Sequence, residues 1–311
     1  MISFGLGVED LADTHFALSP LEETVLSLRV LREPGLHAVH LPWRGSALAR
    51  LGPEDVRLLT SLVGRRLALP DFLTPPPTTF APRFEDQLEV VRRTPPEIVR
   101  RDLRAALVEE PPDETDAAGL CEVLRRHWRL TVEPLWSRIR LVLEADMTYR
   151  ARQLAVGGAR LLFADMHPNL RWHDGVLSIA QMVGNHHVEA SGRGLLLMPS
   201  VFAHKPAPPV HPEEPPCLVY PSRGVATLWD PVPPPDPTAL VALIGAPRAT
   251  LLGLLGEPLP TVELARRLGV TPSAVSQHLR VLYGAGLLTR VRDGRRVLYG
   301  RSPLGDRLVS P

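Results

Sequence analysis

The sequence predicts an α+β chain in two parts: a mostly helical N-terminal domain with a small antiparallel sheet over residues 1–230, and a smaller C-terminal domain over 238–311. A Pro-rich segment, PVPPPDP at 231–237, joins them. Three observations carry this reading. From Ser19 to Ala155, apolar residues recur at helical spacing between Pro-rich breaks. After Gly158 they gather into short runs bounded by Gly, Pro, Asn and Asp. Beyond the Pro-rich segment, helical spacing returns and ends in a hairpin signal.

With 311 residues the chain can build two cores, and 44% hydrophobic with 22% charged residues is the balance of a water-soluble protein. MISFGLGVED has no basic stretch and meets Glu9 and Asp10 before any apolar run reaches signal length, so a cytoplasmic location and no membrane partner are expected. Cys121 and Cys217 are too few for a disulfide framework or a zinc ribbon, and burial is their expected role.

In order, ISFGLG at 2–7 reads as an opening strand. Ser19-Pro20-Leu21-Glu22 reads as a capping box with Pro at the first helical position; Leu21, Val25 and Leu28 then form a stripe that ends at Pro34-Gly35. Further helices are expected over 37–50, 53–63, 82–93, 95–109 and 117–129, and the longest over 132–155. ARLLFADM, GVLSIAQMV, GLLLMPSVF and CLVYPSRGVATLW supply the strands of the antiparallel sheet, with turns at His173-Asp174-Gly175 and Ser191-Gly192-Arg193-Gly194. Residues 206–216 read as a Pro-rich surface loop.

In the C-terminal part, TVELARRLG at 261–269 reads as a short helix with Thr261 as its cap and Gly269 as its stop. Gly269-Val270-Thr271 then turns into a second helix, 271–283, with Thr271 as N-cap, Pro272 at the first position and Gly284 or Gly286 beyond its end. Val275, Leu279 and Leu282 fall on one face; Ser273, Ser276, Gln277 and Arg280 fall on the other. Such short hydroxyls, an amide and a guanidinium are groups that read base edges and phosphates in a major groove. LLTRV and RVLYG flank Arg292-Asp293-Gly294-Arg295, an Asp-Gly hairpin signal, so residues 287–300 form a basic wing with Arg292, Arg295 and Arg296 near its tip. The fold expected of 238–311 is a winged helix-turn-helix that binds duplex DNA. An ordinary amphipathic helix pair is the competing reading, but charge sides with DNA. Residues 238–311 hold ten Arg against two Glu and two Asp, a balance of +6 in a chain whose net charge is +1.

The stretch 247–300 resembles the winged helix-turn-helix domain of the ArsR/SmtB family of bacterial transcription regulators. That resemblance implies a homodimer, usually a repressor, whose affinity for operator DNA responds to a ligand. SPLEETVLSLRVLREPGLHAVHLPW at 19–43, with RGLLLMPSVF and LVYPSRGVATLW, is similar to a long domain found ahead of ArsR-type helix-turn-helix domains in high-GC bacteria. This second resemblance adds an architecture and no chemistry.

Metal sensing is not expected, since 238–311 contains no Cys and only Asp306 follows the wing as a hard ligand. His167, His173, His186, His187, His204 and His211 lack the helical spacing of a metal pair, and His186 and His187 would point to opposite faces of a strand. Catalysis is not expected either. Ser200 lacks the Gly-x-Ser-x-Gly elbow, Cys121 and His127 are badly spaced on one helix, and Gly157-Gly158 and Gly192-Arg193-Gly194 are turn material rather than phosphate loops. No cofactor is implied. Trp43, Trp128, Trp136, Trp172 and Trp229, with Arg138, Tyr149, Arg150 and Arg152, read as core and surface, or as the lining of a pocket for an unidentified small-molecule effector.

Overall fold

The computed structural model describes residues 1–107, 116–182, 184–208, 215–230, 237–293 and 296–309. The chain divides into two units, Met1–Asp230 and Pro231–Pro311. Apart from Pro237, the Pro-rich linker lies outside the described residues, as do 209–214 of the Pro-rich loop and His211 with them.

The first unit opens with β1 (Ile2–Gly5), α1 (Val8–Ala12) and β2 (His15–Phe16). Helix α2 (Pro20–Arg32) starts where the sequence places it: Ser19 Oγ accepts from the Glu22 amide at 2.9 Å, and Pro20 occupies the first position. Only half of the expected box forms, because the Glu22 side chain is buried in the unit rather than spent on the cap. Then come α3 (Leu41–Arg50), α4 (Pro53–Ser61), α5 (Phe84–Arg92), α6 (Pro96–Ala106) and α7 (Ala117–His127). Leu21, Val25 and Leu28 of α2 are each 0% exposed and meet Leu59, Leu88 and Leu124 of α4, α5 and α7 in one core. Short 3-10 turns over Pro34–Leu36 and Ala38–His40 precede α3, so the helix expected from residue 37 begins at Leu41.

The longest helix, α8 (Trp136–Ala164), runs past its expected end. Its breaker signal is nevertheless real. Gly157 and Gly158 leave helical geometry (φ −136° and +63°) and kink the helix, and ARLLFADM, read as a strand, continues it beyond the kink.

The sheet differs from the expectation of one small antiparallel sheet. β3 (Leu170–His173), β4 (Val176–Ile179) and β5 (His186–Glu189) join β1 in the order β3-β4-β1-β5, with β1 antiparallel to β4 and parallel to β5. The β3–β4 hairpin turns on Asp174 (φ 48°) and Gly175 (φ 80°), the two positive φ values that an Asp-Gly turn supplies. β6 (Leu196–Ser200) and β7 (Cys217–Pro221) form a second sheet with β2, parallel throughout. Both β6 and β7 are continuous apolar runs, the pattern of strands covered on both faces. The rest of the last apolar run, Val225–Trp229, is a 3-10 turn.

The second unit comprises α9 (Pro237–Ile244), α10 (Ala246–Leu254), β8 (Leu259–Pro260), α11 (Thr261–Leu268), α12 (Pro272–Gly284), β9 (Leu288–Asp293), β10 (Arg296–Arg301) and α13 (Pro303–Val309). β8, β10 and β9 form an antiparallel sheet in that order. Leu251, Leu252, Leu264, Val275, Leu279 and Leu282 fill its core. Among the described residues no helix is long and apolar enough to cross a membrane.

Candidate nucleic-acid interface

Helix α11 begins at Thr261 itself, with Pro260 before it in extended geometry, so Thr261 is the first helical residue and not its cap. Pro260 already pairs with Leu298 of β10, and that pairing fixes where the helix can start. At the other end Gly269 adopts φ 67°, the left-handed stop read from the sequence. The Val270 amide donates to Ala265 O at 3.1 Å, so the turn into α12 is held by backbone bonds.

Thr271 caps α12: its side chain accepts from the Ala274 amide at 3.3 Å, and Pro272 follows. Val275, Leu279 and Leu282 are buried, whereas Ser273, Ser276, Gln277 and Arg280 are exposed. His278 is partly buried at the edge between the two faces. After the helix, Gly286 at φ 72° turns the chain and the Leu287 amide returns to Leu282 O at 2.9 Å, which sets the hairpin against the end of α12.

Not every arginine of this unit is equally available. Glu263 takes bidentate bonds from Arg266 at 2.9 and 2.7 Å and a third from Arg267 at 2.9 Å. The Arg266 and Arg267 bonds hold its carboxyl down at about 2. Arg248 donates to Ile244 O, Arg301 pairs with Asp306 at 2.8 Å, and the Arg290 guanidinium lies 4.6 Å from the Tyr283 ring centroid. Arg280 is exposed and makes no such bond among the described residues, so its donors remain available to an external acceptor. Arg292 is exposed on β9, and Arg296 starts β10 opposite Asp293. Arg295 lies outside the described residues. β8, α13 and the Arg290–Tyr283 contact carried no sequence signal: two residues ending in Pro do not read as a strand.

Helix, left-handed Gly stop, capped second helix with an exposed polar row, and antiparallel hairpin define a helix-turn-helix module of the DNA-binding kind. Residues 248–291 match the family described as helix-turn-helix domain. The match lies within the C-terminal unit and identifies there a helix-turn-helix domain. A crystal structure of a possible transcriptional regulator for arsenical resistance is 35% identical over 24% of this chain and 78% of its own, with a TM-score of 0.20. No curated protein matches the chain.

In the first unit, most residues with apparent chemical promise prove to be structural. Ser200 is fully buried and its Oγ accepts from the Phe202 and Ala203 amides at 3.1 and 3.0 Å. Burial pushes the Cys121 thiol up to about 11, and both cysteines are buried outside any disulfide. His127 bonds Ser27 and Thr131, and burial lowers it to about 3. Among the other histidines, His187 lies between Ser3 and Glu189 at 2.8 Å from each, and the His167 ring accepts from the Asn169 amide. No cluster of three or more His, Cys, Asp or Glu suited to a metal occurs among the described residues. Trp43 and Trp128 are core, and Trp136, Trp172 and Trp229 pack half-buried against it. Arg150 is 0% exposed and paired with Asp146 and Asp165, while Arg138 donates to Thr227 O and Asp230 O. These contacts brace the unit.

Proposed function

We propose that the chain is a homodimeric, non-catalytic transcriptional repressor of the cytoplasm. Its two copies of α12 read operator half-sites in successive major grooves, and an effector other than a metal ion regulates it through the N-terminal unit. The observation that carries this reading is the exposed row Ser273, Ser276, Gln277 and Arg280 on a helix whose opposite face is locked into the core by Val275, Leu279 and Leu282. In this reading Thr271 both caps the helix and meets a phosphate, and Arg292, Arg295 and Arg296 hold the DNA backbone. Val241 and Leu243 leave apolar surface exposed on α9, which supports self-association of this unit.

The experiment is fluorescence anisotropy of the full-length chain on duplex DNA from upstream of its own gene and on scrambled duplex, at two salt concentrations. Tight, sequence-selective binding that falls steeply with salt is expected. Arg280→Ala should lower operator affinity by about 1–3 kcal/mol and relax base preference. Binding indifferent to both sequence and salt would replace this reading with a protein-docking module.

A further inference from the structure

The first unit contains a cavity of about 510 Å³ that none of the residues discussed above explains. The volume is that of a small-molecule site. Three cationic side chains border it, Arg29 of α2, Arg66 and Lys205, against the carboxyls of Glu22 and Asp71. Leu26, Leu69 and Met182 supply apolar wall.

Several observations show that the cations are not fully compensated. Burial lowers the Lys205 ammonium, and the charges of Arg29 and Arg66 lower it further. His204, also on the wall, is lowered to about 4 by burial and then by Arg29. The Arg29 guanidinium donates from Nε to Leu67 O at 2.9 Å, but its shielded Nη1 has no acceptor among the described residues. A guanidinium has five donors, and an unmet one is costly. Burial raises the Glu22 carboxyl to about 7, so near neutral pH it offsets only part of this positive charge. The backbone adds an independent sign. Arg66 and Leu67, both on the wall, are successive non-glycine residues in the left-handed region, at φ 54° and 62°. Strain of this kind persists where surrounding structure imposes it, and here it presents the Leu67 carbonyl that orients Arg29.

We propose that this cavity binds a small organic monocarboxylate with an apolar body, its carboxylate held by Arg29, Arg66 and Lys205 and its body against Leu26, Leu69 and Met182. Asp71 and Glu22 disfavour a second carboxylate and so set the charge of the ligand at one. As the effector site of the regulator, the assignment rests on the proposed function; as a binding site it does not.

The test is isothermal titration calorimetry of the full-length chain with octanoate and benzoate, with octanamide and benzamide as uncharged counterparts and inorganic phosphate as an anion without a body. The carboxylates should bind at least about tenfold tighter than the amides, as expected for a charge-assisted bond that the amides cannot make. Phosphate should bind more weakly than octanoate. Lys205→Met and Arg29→Met should each weaken octanoate about tenfold or more. Because Arg29 sits on a core helix, Glu22→Gln is the second check: it removes the competing charge at nearly constant shape and should tighten octanoate at pH 8. Equal binding of acid and amide, phosphate as tight as octanoate, or octanoate binding unchanged in Lys205→Met and Glu22→Gln would each overturn the assignment. Operator anisotropy with and without octanoate reads the regulatory role separately, so the cavity and the regulator can fail independently.

Discussion

Replacing Arg150 by Met should destabilise the N-terminal unit by about 3–5 kcal/mol, the cost of stripping one partner from a buried ion pair. Arg150 and Asp146 have side chains 1% and 0% exposed, with Arg150 Nε 3.7 Å from Asp146 Oδ1. The same guanidinium bonds Asp165 and Leu162 O. Arg150 precedes the Gly157-Gly158 kink of α8, whereas Leu162 and Asp165 follow it, so one side chain ties the two limbs of the helix together. Methionine keeps most of the aliphatic length and removes the charge. Asp146 would then retain the Arg223 amide, at 3.1 Å, but lose its buried cation. Burial already pushes the Asp146 carboxyl above its usual range, so protonation relieves part of the penalty and places the expected value near the lower limit. Urea unfolding followed by tryptophan fluorescence is the assay, because Trp43, Trp128, Trp136, Trp172 and Trp229 all lie in this unit and the C-terminal unit has none. The double variant Asp146→Leu/Arg150→Met, which removes both charges, should recover much of the loss. A loss below about 1 kcal/mol for Arg150→Met would refute the reasoning: Asp146 would then be neutral or rehydrated without cost.

The remaining predictions concern pH and the helix cap. Burial raises Glu22 to about 7 and Glu23 to about 8 from a usual 4.5, so the native unit holds extra protons whose stabilising effect is complete below 4.5 and lost as pH rises through 7 to 8. Burial lowers His37 to about 4, His40 to about 4 and His127 to about 3 from a usual 6.5; these groups contribute stability above 6.5 that is lost as pH falls. The urea midpoint read by tryptophan fluorescence should therefore peak near neutral pH, and Glu23→Gln should flatten its alkaline limb; a midpoint still climbing at pH 9 contradicts the assignment. Thr271→Ala removes the cap on the Ala274 amide and should cost the C-terminal unit about 1 kcal/mol in thermal unfolding followed by circular dichroism. Thr271→Ser should retain most of that stability, and equal losses in the two variants would show that the hydroxyl does not cap.

How much of this was legible in the sequence depended on how local its cause is. The α11–α12 turn could be read because each of its determinants lies within four residues of its effect: Gly269 stops a helix, Thr271 caps the next, and Val275, Leu279 and Leu282 recur at helical spacing. The same holds for Ser19 at the start of α2 and for Asp174-Gly175 between β3 and β4. The sheets of the first unit depart from the sequence expectation because parallel pairing is not local. β2 meets β6 across most of the unit, so His15 and Phe16 carry no sign that Leu196 and Leu197 are their partners. The unbroken apolar runs of β6 and β7 indicate strands covered on both faces, whereas the Gly and Pro around them suggested hairpins.

The same distinction explains why the polar face of α12 was legible and the cavity was not. An interface with DNA is presented by one helix, so its residues share a period and stand out as a row. A cavity is assembled from side chains that the fold brings together: Glu22 and Arg29 share α2, but Arg66, Asp71 and Lys205 come from connecting segments with no common period. The sequence offers each arginine a carboxylate on its own helix, Asp146 four residues before Arg150 and Glu22 two turns before Arg29, and does not say which pair the fold completes. Arg150 finds two carboxylates in the fold and becomes a brace. Arg29 finds a carbonyl, the partly neutralised Glu22 and Asp71, against two further cations around an open volume, and its unmet Nη1 donor distinguishes a binding group from a structural one.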